Sequence, residues 1–518
     1  MVDEGTAKPT RRTALTVLGA VGAAGAAGLV GLRVATGSAP GTLAPVDAAV
    51  RPVAPAPGAT RPVGGVSPTV AENARPGDAG FRLDGLRHST DHEGQIAGYA
   101  SATSVAPGET LDFFVSVAPA QGYRITVFRV GHYGGAGARQ VVTSPWLDGV
   151  RQDPPQVSPT DGAVWCSWQP GWRLTIDAGW VSGLHLALLR NAQGYHHWIP
   201  FVVADPSRHA DALVVVPTST YQAYNGWPMD GRTGASLYRG YDAQGNLRGS
   251  DLRARAVSHD RPMTGSGLRR PMKDDIGFVQ WIEQQGRDLV YASSEDLHSG
   301  RVVPHHHRAV IFPGHDEYWS PAMRAAVTTA RDRGTSLVFL GANNCYWRIR
   351  YAQGDRLVEC AKSIVPGPGP EPPTTRWRDV GDPEQLLIGA QYVAIVDGAA
   401  PLVVRGSDHW FWAGTQVRDG DEIPGVVHGE ADQLMRGVAR PASTESVLLS
   451  DSPFNRQGRT RRQQTCLYRA PSGAWVFAAG SLAWTRQLRN GPAADDRLRR
   501  ATRNLLDRVS QAPPTVSG

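Results

Sequence analysis

Ala212-Leu213-Val214-Val215-Val216-Pro217 is an unbroken apolar run, and it constrains everything folded around it. A strand that is apolar at every position has no face to give to water, so it must lie in a sheet covered on both sides. The pattern recurs at Asp288-Leu289-Val290-Tyr291-Ala292, Ala309-Val310-Ile311-Phe312-Pro313 and Ser336-Leu337-Val338-Phe339-Leu340. Between these runs, Phe278 to Gly286 reads as an amphipathic helix with a glycine stop, and residues 320–333 as another. Strands and helices alternating at such lengths predict a doubly wound, largely parallel α/β sheet.

A chain of 518 residues exceeds what one core supports, since single cores stop growing near roughly 250–300 residues. The α/β domain, of flavodoxin or class I glutamine-amidotransferase type, is expected over 207–512, with a mixed-strand insertion at about 365–470 and a returning strand at Trp475 to Gly480. Residues 79–206 instead show short alternating runs, such as Tyr123-Arg124-Ile125-Thr126-Val127-Phe128-Arg129-Val130, between Gly/Pro turns. They predict a β-sandwich of immunoglobulin-like outline. Trp165-Cys166-Ser167-Trp168 reads as core packing, or as a sugar platform. Gly131-His132-Tyr133-Gly134-Gly135 reads as a hairpin turn.

The first 34 residues read as an address. Arg11-Arg12 precede an uncharged Ala/Gly-rich stretch over 13–32, the pattern of a twin-arginine signal read by the export machinery. Export to the extracellular space or cell envelope is expected, with an uncleaved signal serving as a membrane anchor in the alternative. Residues 35–78, dominated by Pro, Gly, Ala and Thr, predict a linker. The net charge of +6 is modest and nearly all basic residues are Arg, with Lys only at Lys8, Lys273 and Lys362. No basic stripe interleaved with aromatics is present, which argues against nucleic acid. Cys166, Cys345, Cys360 and Cys466 form no CxxC pair, leaving one bridge or four packed thiols open.

Ligands gather beyond the carboxyl ends of parallel strands. Three polar clusters fall there: Ser219 to Asn225, Gly314-His315-Asp316-Glu317-Tyr318-Trp319, and Gly341-Ala342-Asn343-Asn344-Cys345-Tyr346-Trp347. On an extended segment His315 and Glu317 face one side, which suits a metal site or an acid–base pair. The structural alternative is that Asp316 or Glu317 complements the helix start at Ser320-Pro321. His305-His306-His307 reads as a polar loop rather than a metal tract, and Cys345 as packed rather than nucleophilic.

These clusters carry a resemblance. Gln222-Ala223-Tyr224-Asn225, Ser236-Leu237-Tyr238, Val257-Ser258-His259-Asp260-Arg261-Pro262 and above all Pro313-Gly314-His315-Asp316-Glu317-Tyr318-Trp319-Ser320 resemble the C-terminal domain of the N,N-dimethylformamidase large subunit. The resemblance implies a mononuclear iron held by two tyrosines and a glutamate, here Tyr224, Tyr238 and Glu317, with Tyr221 as an alternative to Tyr224. It implies His315 and Asn343 as oxyanion-stabilising or substrate-orienting groups, and Glu430 as an acid–base group. Two phenolates and a carboxylate are hard oxygen donors that favour ferric iron.

Two functions follow as expectations. The first is an exported metal-dependent hydrolase of an amide C–N bond in a small molecule, with an ester as the variant substrate. The second is a non-catalytic cell-envelope protein binding a glycan or small molecule. A homo-oligomer or a small partner subunit is compatible with either.

Overall fold

A computed structural model describes residues 66–364 and 372–511. The expected signal, most of the expected linker, and the potential membrane anchor lie outside the described residues. The linker also ends sooner than expected: Pro68–Asn73 is a helix capped by Ser67.

The first half is a sandwich. One sheet orders Ile96–Ala100, Thr110–Val117 and Pro170–Thr175; the other is built on Gln121–Val130, Gly183–Asn191 and His196–Val203. Leu111, Phe113, Val115 and Val117 point inward at every second residue, onto Ile125, Val127, Leu189 and Phe201 of the facing sheet. The second sheet is buried on its other face too, where Leu184, Leu186, Trp198 and Val202 join the core of the following region. The Tyr133–Gly135 turn closes a hairpin in which Val130 pairs with Ala138. Trp168 is core, packed on Tyr99 and Trp227 at ring distances of 5.5 and 5.9 Å. All four cysteines are buried and unpaired.

The second half centres on a seven-stranded sheet: β1 Ala212–Val216, β2 Leu289–Ser293, β3 Ala309–Phe312, β4 Ser336–Phe339, β5 Glu445–Arg456, β6 Arg459–Arg469 and β7 Trp475–Ala478. The order is β2-β1-β3-β4-β7-β6-β5. β2, β1, β3, β4 and β7 run parallel, while β6 and β5 add antiparallel. The apolar runs β1 to β4 are buried at every position.

The expectation of a doubly wound α/β fold of flavodoxin type is overturned. Strands account for 35% and helices for only 18%, and the described strands form eight sheets. The physical reason lies after β4, where alternation with helices stops. The link from β4 to β7 is carried by two long hairpins, Gln391–Val403 with Glu422–Gln433, and β5 with β6. The expected insertion is therefore partly sheet: β5 and β6 extend the central sheet at its β7 side.

The sandwich and the central sheet are joined through charge as well as apolar core. Arg129 on Gln121–Val130 donates to both oxygens of Glu283 on the helix Arg270–Gln284, at 2.8 and 2.9 Å. Tyr291 on β2 and Asn73 donate to the same carboxylate at 2.9 and 2.7 Å. Close by, His185 lies between Trp180 and Phe201 at 5.2 and 5.4 Å. Burial, aided by the Arg129 charge, pushes it down to about 3. The unfolded chain takes up a proton below about 6.5 that folded His185 refuses, so its contribution is lost as pH falls from there toward 3. Its share at pH 5 is about 2 kcal/mol. In urea denaturation, the stability gap between wild type and His185→Gln should therefore narrow by about that amount from pH 7.5 to pH 5. A gap that stays constant would show that folded His185 takes up its proton as readily as the unfolded chain does.

Candidate active site

The carboxyl ends of β1, β3 and β4 deliver the three polar clusters to one place. The short helix Thr218–Ala223 leaves β1 and ends at Tyr224. Thr220 Oγ1 accepts from the Glu317 amide at 3.0 Å, which fixes the segment after β3 against that helix. The Glu317 carbonyl accepts from the amides of Tyr346 and Trp347 at 2.9 and 2.8 Å, tying in the segment after β4. A peptide pinned from both sides aims its side chain reproducibly, which an active site requires.

Glu317 is the hub. Its Oε2 accepts from Tyr224 Oη and Tyr238 Oη, each at 2.7 Å, and Tyr238 Oη also lies 2.9 Å from Oε1. Trp347 Nε1 donates to Oε1 at 2.9 Å and Asn343 Nδ2 at 3.3 Å. His315 Nε2 lies 3.3 Å from Oε2 and 3.1 Å from Tyr224 Oη. The two phenol rings stack at 4.3 Å. Two phenol oxygens and one carboxylate oxygen thus converge from three separate segments.

Glu430 arrives by a different route. Its strand Glu422–Gln433 is bridged to the residues after β7, where Leu482 N donates to Glu430 O and Asp432 N to Gly480 O. Glu430 Oε2 then sits 3.8 Å from His315 Nε2, buried and without a hydrogen-bond partner. Asn343 Oδ1 is a second buried polar atom without a partner.

The electrostatics are strongly coupled. Burial would lift the Glu317 carboxyl, but hydrogen bonding and the positive charge of His315, with Lys362 beyond, hold it below its ordinary value. Burial disfavours the charged imidazole of His315, yet Glu430 and Glu317 outweigh it and push the group up to about 10. Burial, with the Glu317 charge, raises Glu430. Burial and Glu317 together push both phenols well above their usual value.

All six predicted site residues, Tyr224, Tyr238, His315, Glu317, Asn343 and Glu430, are brought together. Tyr221, the alternative, turns away and donates to Asp275. Asp316 and Glu317 do not start the following helix: Ser320 caps Pro321–Asp332, accepting from Met323 N. Asp316 is fully buried, with neither carboxyl oxygen partnered.

Sequence reasoning missed three contributors. Trp347 stood in a polar cluster but was given no role. Asp432 accepts from Asn343 N at 2.8 Å and holds that residue in its left-handed conformation. Lys362 Nζ lies 3.4 Å from the centre of the Tyr238 ring and 4.6 Å from that of Trp347. Burial pushes it down to about 8 against the pull of Glu317. Its signal was present: a lysine is rare in a chain whose basic residues are almost all arginine.

Among the described residues no group of three or more His, Cys, Asp or Glu side chains is placed to hold a metal ion. The convergent donors here are one carboxylate and two phenols, a set rich in oxygen and suited to a hard cation.

The family model for the C-terminal region of N,N-dimethylformamidase beta subunit-like proteins matches residues 124–496. The chain belongs to this family. It is similar to the N,N-dimethylformamidase beta subunit of Paracoccus aminophilus, 21% identical over 433 residues. That alignment covers 68% of this chain and 57% of the relative, so the chain spans rather more than half of the relative's length. Among solved structures, a cellulose-active LPMO in complex with copper aligns at 18% identity over 19% of this chain and 52% of that one, with a TM-score of 0.13. A Paenibacillus cycloisomaltooligosaccharide glucanotransferase complexed with cycloisomaltoheptaose aligns at 8% identity over 60% and 61%, with a TM-score of 0.16. Scores this low carry no argument. The family match begins inside the sandwich and ends in the last helix, Asp496–Val509, so it spans every segment that supplies the site.

Proposed function

We propose that the chain is a metal-dependent hydrolase of an amide C–N bond in a small molecule, with Tyr224, Tyr238 and Glu317 as ligands of a mononuclear ferric ion. The observation that carries this reading is the meeting of both phenol oxygens on Glu317 Oε2, each at 2.7 Å. Phenols so buried would give up their protons only to a strong Lewis acid, and two of them converge on one carboxylate. The chemistry such an ion supplies is Lewis acidity toward a carbonyl oxygen and toward water. The remaining work falls to the protein. His315, held cationic by its two glutamates, and Asn343 Nδ2 offer positive charge and a donor to an oxyanion. Glu430, which burial raises, lies 3.8 Å from His315, so the two together offer one proton that can pass to a leaving amine. Lys362 adds positive charge at the edge of the same site.

Purified protein should contain about one iron per site and show a visible phenolate-to-iron absorption band, and Tyr238→Phe should lose both. A colourless wild type, or unchanged iron in the variant, would sink the proposal and leave the non-catalytic binding role.

The Arg11-Arg12 pair leads us to propose export by the twin-arginine route. Such export argues against dimethylformamide itself as the substrate. The relative is named a beta subunit, and on that ground a second subunit is proposed as a partner. The mass of the native assembly tests it.

A further inference from the structure

Beside the phenol pair lies a cavity of about 440 Å³ whose wall includes Tyr224 and Tyr238. Arg239 and Arg269 also line it, and no Asp or Glu does. Two guanidinium groups therefore face one cavity without a carboxylate to balance them. Of the acids around it, Glu317 lies behind the two phenols, which donate to it, and Asp91 and Asp230 are committed to other groups. Asp91 accepts from Thr264 Oγ1 and from the amides of Met229 and Gly265. Asp230 accepts from the amides of Arg232, Thr233 and Gly234. Arg269 is oriented by a bond from its Nη1 to the Tyr224 carbonyl, so its fork is fixed on the residue that carries one phenol. An anion bound between the two guanidinium groups would offset their mutual repulsion. Ser236 Oγ, which accepts from the amides of Tyr238 and Arg239, keeps its own proton free to donate. Met229 and Leu247 give the rim an exposed apolar edge.

We propose that this cavity binds an organic carboxylate, and that this carboxylate is the anionic end of the substrate. The second clause rests on the reaction centre proposed above. The guanidinium groups would take the carboxylate as charge-assisted hydrogen bonds, and the apolar rim would cover the carbon chain. The substrate class is then a small amide bearing a carboxylate, rather than a neutral one.

Two measurements separate the parts. Succinate, which has no amide, is titrated calorimetrically into the full chain and into Arg239→Gln and Arg239→Lys. Arg239 is exposed, so the variants should melt with wild type. Saturable binding, weakened about tenfold or more in Arg239→Gln and partly restored in Arg239→Lys, sustains the anion site; absence of binding overturns it. Hydrolysis of N-formylglycine is then compared with that of its neutral amide, N-formylglycinamide. The kcat/KM ratio should favour the anion in wild type and fall about tenfold in Arg239→Gln. An equal ratio in both proteins, with succinate still bound, overturns the substrate assignment and makes the carboxylate a separate ligand. If neither compound is cleaved, the failure belongs to the reaction centre and the succinate arm alone decides the cavity.

Discussion

Glu317→Gln is expected to empty the proposed metal site and lower kcat/KM by more than about 100-fold. That bound follows from a comparison: losing a group that merely orients a metal ligand typically costs about 10- to 100-fold, and Glu317 is proposed as the ligand itself. The substitution keeps the shape of the side chain but replaces one acceptor oxygen with an NH2 group. In place of Oε2 that group would face Tyr224 Oη and Tyr238 Oη, and in place of Oε1 it would face Trp347 Nε1 and Asn343 Nδ2, all of which now donate to Glu317. His315 would lose one of its two glutamates, and Lys362 the anion that opposes its deprotonation. Metal analysis, steady-state kinetics and thermal melting on the same preparation separate loss of the site from loss of the fold. A variant that keeps both iron and turnover would remove Glu317 from the proposed mechanism.

The second large effect concerns stability. Glu283→Ala should cost about 3–5 kcal/mol, because it strands a buried guanidinium. The Arg129 and Glu283 side chains are 1% and 0% exposed, so water cannot take over the lost bonds. Tyr291 and Asn73 lose their acceptor as well. The double variant Arg129→Met, Glu283→Leu should recover most of that loss, since replacing both charges with apolar groups of similar volume is often nearly neutral. Chemical denaturation of the single and double variants measures the coupling. A loss below about 1 kcal/mol in the single variant would mean that the pair behaves like a surface one.

What the sequence announced and what it hid follow from one physical distinction. β1 to β4 are apolar at every buried position but Ser293 and Ser336, so the runs declared themselves, and the polar residues at their ends were legible as a site. β5 and β6 are buried differently. Ser450 and Ser452 donate to Gln463 Oε1 at 3.1 and 2.9 Å, Ser450 to Thr465 at 2.8 Å, and Gln463 to the Ala479 carbonyl at 2.9 Å. A strand face that satisfies its polar groups internally leaves no apolar alternation to read. The doubly wound expectation failed for that reason: it extended a rule learned on β1 to β4 past the point where burial became polar. Lys362 and Asp432 escaped for another reason. Each acts through a partner distant in sequence, and only pairing across the sheets reveals the partner.

The position of β7 has a consequence for biosynthesis. It is among the last strands made, yet it fills the interior of the central sheet, with β4 on one side and β6 on the other. Until Trp475–Ala478 has left the ribosome, β4 presents an open edge of unpaired backbone, and the strand bearing Glu430 has no bridge to rest on. A nascent chain therefore carries its tyrosines and Glu317 without a closed pocket around them while residues 318–478 are made. Premature termination before β7 should yield an aggregating product rather than a smaller working one.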